Sequence, residues 1–159
     1  MITLEQCENT KRDAKTAFQW RNDARTIESS EVRQPKSWDS FWLEYSECYF
    51  DALPPVFVKD GDCFAGFVRF DAAGEGTLEI VVNIAPQFRG MGIGTEALGL
   101  VKAYARDNGF SKLIADVRET NRASLAAFRK AGYDVESRRT RIIQKTKEKC
   151  SIVRVFCLL

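Results

Sequence analysis

Leu78-Glu79-Ile80-Val81-Val82-Asn83-Ile84, then Pro86, then Arg89-Gly90-Met91-Gly92-Ile93-Gly94, then an amphipathic run from Thr95 to Asn108: this stretch reads strand, tight glycine loop, helix. Glycine has no Cβ, so successive backbone N–H groups can crowd around an anion. The helix that opens there adds unpaired amides and the positive end of its dipole. The segment is suited to holding a phosphate or diphosphate. Its spacing excludes two familiar phosphate loops. A dinucleotide fingerprint places its third glycine one residue later, where Thr95 stands, and a P-loop needs a lysine after its last glycine, where Thr95 and Glu96 follow instead. The pattern that remains is Arg-x-x-Gly-x-Gly.

Working outward, residues 2 to 6 are expected to form a first strand. Asn9-Thr10 is a cap for a helix from Lys11 to about Arg21, and residues 22 to 34 read as a polar loop with at most one helical turn. Ser37 is a second N-cap, and Trp38, Phe41, Trp42 and Tyr45 form a stripe at helical spacing. Val56 to Val58 and Cys63 to Asp71 read as strands around the turn Lys59-Asp60-Gly61-Asp62, followed by a hairpin into Thr77 to Ile84. After the central helix, Gly109 marks its end and Lys112 to Val117 is a short, continuously apolar strand. Thr120-Asn121 opens a helix through Lys130, closed by Gly132; Tyr133 to Gln144 and Cys150 to Leu158 read as a final antiparallel pair. The expected class is α+β: a mixed, mainly antiparallel sheet of about seven strands flanked by about four helices, in one domain over residues 1–159.

Composition narrows the chemistry. The net charge of +2 gives no argument for nucleic acid or an anionic membrane as a partner. Met1 to Glu5 lacks a basic and apolar leader pattern, and no apolar run approaches a membrane span, so a cytoplasmic protein is expected. The five cysteines are widely spaced and odd in number, which disfavours a disulfide framework or a zinc site; no metal is expected. Histidine is absent. Proton transfer must therefore use carboxylates, hydroxyls, thiols, amines or water.

A second constellation lies about 30 residues beyond the loop: Asn121-x-x-Ser124-x-x-x-Phe128-x-Lys130-x-Gly132-Tyr133. Together with Arg89-x-x-Gly92-x-Gly94, it resembles the GNAT (Gcn5-related) N-acetyltransferase superfamily, whose element reads Asn-x-x-Ala/Ser-x-x-x-Tyr-x-Lys-x-Gly-Phe. The element order resembles that family over essentially the whole chain, while the specific motifs lie within Leu78 to Tyr133. The resemblance implies a sheet splayed between its fourth and fifth strands, with acetyl-CoA as co-substrate lodged in the splay. Its pantetheine arm is expected against the backbone of Asn83, Ile84 and Ala85 and against Asn121. Its diphosphate is expected on the amides of Gly90, Met91, Gly92, Ile93, Gly94 and Thr95, with Arg89, Arg122 and Lys130 as counter-charges and Ser124 and Phe128 beside the thioester. Arg122 and Lys130 also fit a plainly solvated helix face.

The implied reaction is acyl transfer to an amine, which must first lose a proton. Glu79 is the candidate base, although a strand glutamate can equally point to solvent; Glu31 is a lesser alternative. The family's usual proton donor to the departing thiolate is a tyrosine, and Phe128 stands there without a hydroxyl. Ser124 is then the candidate donor, unless the thiolate leaves unassisted and takes its proton from solvent. The acceptor is expected to be a small-molecule amine. The segment Trp20-Arg21-Asn22-Asp23 resembles the branch acting on amino-sugar nucleotides and the related ribosomal-protein branch, making Arg21, Asn22 and Glu31 substrate candidates and giving Arg21, Arg25 and Arg33 to substrate phosphate or carboxylate. A protein N-terminus, or a non-catalytic acyl-CoA-binding module that has lost its tyrosine, are the alternatives. Both monomer and homodimer remain open.

Overall fold

The computed structural model describes residues 1–29, 34–143 and 146–159. The elements follow in the order β1 (Ile2–Gln6), α1 (Lys11–Arg21), α2 (Ala24–Ser29), α3 (Trp38–Cys48), β2 (Val56–Asp60), β3 (Cys63–Ala72), β4 (Thr77–Ile84), α4 (Ile93–Asp107), β5 (Lys112–Arg118), α5 (Arg122–Lys130), β6 (Asp134–Ile142) and β7 (Lys149–Leu158). The caps explain several boundaries. Thr10 accepts the Asp13 N–H at 3.3 Å to start α1, and Ser37 accepts the Ser40 N–H at 3.2 Å to start α3. Gly109 turns the chain out of α4 with φ of 89°, a conformation open to glycine without strain. The six-residue α2 is an addition to the expected helices. It lies where the sequence reads as loop, and Asp23 starts it by accepting the Thr26 N–H at 3.2 Å.

The seven strands form one sheet in the order β1-β2-β3-β4-β5-β7-β6. All neighbours are antiparallel except β4 and β5. The last two strands pair as expected, but β7 inserts between β5 and β6, which leaves β6 at the edge. Strand alternation sends Val68, Phe70, Leu78 and Ile80 to one face, where they pack with Ala97, Leu98 and Val101 of α4 and Phe128 of α5. The opposite face buries Phe67 with Ala14, Ala17 and Trp20 of α1 and Phe41 and Tyr45 of α3. The aromatic stripe is therefore core: Phe41 lies 6.1 Å from Tyr45, whose hydroxyl donates to Glu8 O at 2.8 Å. No described helix is long and apolar enough to cross a membrane.

β3 and β4 remain paired over seven residue pairs, from Gly66–Ile84 to Ala72–Leu78. β5 and β7 do the same from Lys112–Leu158 to Arg118–Ile152. Between these halves, β4 and β5 pair only at Thr77–Lys112, Leu78–Leu113 and Glu79–Ile114. The closed end is tied by Ser111 and Lys112, whose N–H groups donate to Gly76 O at 2.8 and 3.1 Å. Beyond Glu79 the strands diverge.

Gly66 sits where β3 supports the diverging part of β4. A Cβ there would lie 2.7 Å from Asn83 O, a backbone atom, and 3.0 Å from Ile84 Cδ1. Gly66→Ala is expected to lower stability by about 1–3 kcal/mol. Gly99→Ala, on α4 with open space around the added methyl, is expected to raise it by about 0.5–1 kcal/mol. Urea unfolding of both variants checks the contrast.

Candidate active site

The divergence of β4 from β5 opens a cleft of about 920 Å³ lined from both faces of the sheet. On the α4 face it is walled by Gly90, Gly92, Ile93, Gly94 and Thr95, with Asn121, Ser124, Phe128 and Lys130 across from them. On the α1/α3 face it is walled by Arg21, Arg25, Lys36, Glu44, Tyr49, Arg69, Glu79 and Asp116. The two walls meet along Val81 to Ile84 and Ala115 to Val117, where the strands no longer pair.

The loop before α4 has the geometry that its glycines permit. Gly90 and Gly92 have φ of 75° and 80°, and an added Cβ at either would meet nothing within 4 Å. Conformation, not crowding, requires glycine there. Gly92 is the N-cap of the 15-residue α4, and Glu96 N–H is the first to reach back, to Gly92 O at 3.2 Å. The amides of Ile93, Gly94 and Thr95 come before it and open at the helix N-terminus, into the cleft. Met91 is exposed at the loop tip and does not line the cleft.

Backbone parity along β4 follows from one bond. Ala85 N–H donates to Ala65 O at 2.8 Å, so by antiparallel alternation Asn83 and Val81 also direct their backbone groups to β3. Val82 and Ile84 direct theirs to the gap. Of the three positions expected to offer backbone to pantetheine, Ile84 alone has that orientation. Asn83 bonds to β3 and reaches the cleft as a lining residue, and Ala85 is buried with its amide already paired.

Arg89 is held inside the protein. Its Nε donates to Ile84 O at 3.0 Å, and its Nη2 reaches Thr26 Oγ1 at 3.2 Å and Asp23 Oδ2 at 2.7 Å. It therefore clamps α2 to the end of β4, and the anion loop is shaped by this clamp. Burial opposes the Asp23 charge, but the Arg89 and Thr26 hydrogen bonds outweigh it and hold the carboxyl below its ordinary 3.8. Asn22 lies outside the cleft. Its Nδ2 donates to Lys36 O and its Oδ1 accepts Lys36 N–H, both at 2.8 Å, so it ties α1 to the start of α3. Glu31 and Arg33 lie outside the described residues.

Asn121 caps α5, its Oδ1 accepting the Ser124 N–H at 3.3 Å, which places the Ser124 side chain on the cleft wall. Phe128 is mostly core, 5% exposed and edge-on to Tyr133 at 5.0 Å. Lys130 is exposed at the cleft rim.

Glu79 is half-buried on the α1/α3 face, beside Asp71 in β3. Burial first, and the nearby Asp116 charge second, push its carboxyl above the ordinary 4.5. Asp116 itself stays low: burial works against its charge, but Arg154 at 2.7 and 2.9 Å and Arg139 at 2.6 Å outweigh burial. Two carboxylates with separated proton affinities thus share one cleft, a pattern associated with acid–base sites. Arg69, Asp71 and Asp116 are not among the sequence candidates; the alternation Arg69-x-Asp71 on β3 and a lone Asp116 among apolar residues of β5 are the signals that point to them. Among the described residues, no group of three or more His, Cys, Asp or Glu is placed to hold a metal ion.

A sheet half unzipped between its parallel strands, with the unpaired amides of a helix N-terminus at the gap, defines a GNAT-type fold. The acetyltransferase (GNAT) family model matches residues 15–133, and the chain belongs to that family. Among solved structures, a spermidine N-acetyltransferase from Vibrio cholerae, in complex with CoA and spermine, is 19% identical at TM-score 0.84, covering 99% of this chain and 95% of that one. A ribosomal-protein-alanine N-acetyltransferase from Brucella melitensis is 20% identical at TM-score 0.80, covering 99% of each chain. A phosphinothricin acetyltransferase from Sinorhizobium meliloti, in complex with AcCoA, is 18% identical at TM-score 0.83, covering 99% and 88%. These likenesses establish the fold. No curated protein matches the chain.

The Arg89 clamp gives a pH-dependent prediction. A carboxyl whose folded value is depressed stabilises the fold above its unfolded value and loses that stabilisation as pH falls through the folded one. Arg89→Gln is expected to cost about 1–3 kcal/mol at neutral pH, and the gap to wild type should narrow as pH falls from 3.8 through the lower folded value of Asp23. Denaturant melts at pH 7 and pH 3, with Asp23→Asn completing a double-mutant cycle, measure it.

Proposed function

We propose that residues 1–159 act as one acetyl-CoA-dependent N-acetyltransferase domain. It moves an acetyl group by direct attack of a small primary amine, an amino-sugar nucleotide being a fitting acceptor. The observation that carries this reading is the cleft through the sheet, with open helix amides on one face and a half-buried Glu79, its carboxyl raised above the ordinary 4.5 by burial, on the other. Family membership supports it, as do the related folds solved with CoA or AcCoA.

The residues present fit the co-substrate. The amides of Ile93, Gly94 and Thr95 are suited to the diphosphate, with Lys130 at the rim as counter-charge. Val82 and Ile84 offer backbone groups to the amides of a pantetheine arm lying in the gap like an extra strand. Ile84 O is already used by Arg89, so its N–H is the group left to donate to the thioester carbonyl oxygen. Glu79 takes the proton from the incoming ammonium, directly or through water. Ser124 is the hydroxyl nearest in role to the departing thiolate, since Phe128 has none to offer.

Thiol release from acetyl-CoA against an amine panel tests the reading. Glu79→Gln is expected to lower kcat about 10²–10⁴-fold. The wild-type rate should rise with pH around a midpoint above 4.5 as Glu79 loses its proton, and that acidic limb should vanish in Glu79→Gln. Ser124→Ala is expected to lower kcat by about 10-fold, with the acetyl-CoA KM near wild type. A chain that binds acetyl-CoA and releases no thiol with any amine would instead be a binding module.

A further inference from the structure

The α1/α3 side of the cleft gathers several cations, and the described carboxylates are shared unevenly among them. Glu44 is shared, Oε2 with Lys36 and Oε1 with Arg69 Nη1 at 3.4 Å. Asp71 accepts from Arg69 Nε at 2.9 Å and Nη2 at 2.8 Å, and Tyr49 OH accepts from Arg69 Nη1 at 3.0 Å. Among the described residues the cations Lys36 and Arg69 therefore consume Glu44 and Asp71. Arg21 is left over. It projects from the last turn of α1 into the same cleft, and its Nη1 is shut off from solvent with no hydrogen-bond partner among the described residues. A half-buried guanidinium does not shed its proton to relieve the cost of desolvation, and the N–H groups of its enclosed Nη1 are costly while nothing accepts from them. A planar fork of donors in that condition suits a carboxylate or a phosphate.

We propose that Arg21 is the anchor for an anionic group on the acceptor, so that the substrate is an amine bearing a carboxylate or phosphate, its amine directed to Glu79 and its anion to Arg21. This rests on the N-acetyltransferase reading above, and it narrows the acceptor class. Neutral amines leave Arg21 unpaired, and polyamines add positive charge beside it. Both are poor acceptors for this cleft. Arg25, also on this wall, is exposed.

The test compares matched amines on the full chain with acetyl-CoA: β-alanine against propylamine for a carboxylate, and O-phosphoethanolamine against ethanolamine for a phosphate. Expected is a kcat/KM advantage of about 10-fold or more for at least one anionic member, the scale of one charge-assisted contact. The arm that shows it identifies the anion. Arg21→Gln should erase the advantage mainly through KM, leave the neutral amines within about twofold, and be partly rescued by Arg21→Lys. Arg106→Gln, on the exposed end of α4, should change nothing. Equal rates for anionic and neutral amines, or an equal loss for both in Arg21→Gln, would overturn the proposal. Calorimetry with inorganic phosphate and with succinate separates this from the parent reading. If no amine is turned over, the acetyltransferase reading fails, yet phosphate or succinate binding that weakens about 10-fold in Arg21→Gln still supports the anchor. No such difference overturns it. Circular dichroism verifies that each variant is folded, and Arg21→Lys carries the binding contrast should Arg21→Gln unfold.

Discussion

The parallel pairing of β4 with β5 lasts three residue pairs and stops, and the chemistry of this protein depends on that stop. Each strand is fully paired on its outer side over seven residue pairs, β4 to β3 and β5 to β7. The sheet is therefore two antiparallel halves hinged at Gly76 and Ser111. Antiparallel ladders are slightly the stronger per residue and carry their own twist, so neither half gives up its outer partner to close the gap. At the open end, Val82 and Ile84 direct backbone groups to no strand. An unpaired strand edge in a protein interior is costly unless something arrives to pair it. A substrate arm with amide groups of its own satisfies that requirement as an added strand would.

The same gap separates charges. Even-numbered residues of β4 face the apolar layer under α4, and odd-numbered ones face the layer of α1 and α3. The unpaired amides of the α4 N-terminus lie on the first side. Glu79 and Asp116 lie on the second, with Arg69 and Arg154 beside them. Asp116 is fixed in its ionised form by two arginines, and its charge then makes Glu79 reluctant to ionise. Burial and that charge together raise the Glu79 carboxyl above its ordinary value, while Asp116 stays committed to its ion pairs.

Much of this architecture was legible because local signals agree with the global result. Thr10, Ser37, Asn121 and Gly109 each close or open a helix with their own side chain or φ, and the elements they bound lie within a residue or two of the expected positions. The glycine loop was legible for the same reason: its positive φ values are properties of Gly90 and Gly92 themselves. What stayed hidden depends on long-range partners. Arg89 reads as a phosphate contact until Asp23 and Thr26, more than 60 residues earlier, are seen to hold it. Asn22 reads as a substrate contact until Lys36 takes both ends of its amide. The direction of each β4 carbonyl is invisible in a sequence, because a one-residue change of register inverts it. Here the single bond from Ala85 to Ala65 fixes it. The insertion of β7 between β5 and β6 is also a matter of pairing choice, and nothing in the hairpin turn encodes it.

Phe128 shows how one substitution shifts a chemical task. Where the family pattern has a tyrosine hydroxyl, this chain has a ring 5% exposed and packed edge-on against Tyr133, whose own hydroxyl is buried and pushed well above the usual phenol range by loss of solvent. Neither ring donates a proton to a leaving group. A thiolate is nonetheless a good leaving group, because thiols lose protons at about pH 8–9, far below amines or alcohols. The assistance withheld by Phe128 is therefore modest, whereas the proton on an incoming ammonium, with an amine pKa near 10, must be removed before any bond forms. In the proposed reaction the harder of the two proton transfers would fall to the face of the cleft that carries Glu79. There Glu79 is half-buried among charged neighbours, while the thiolate side is left with one serine and an apolar wall.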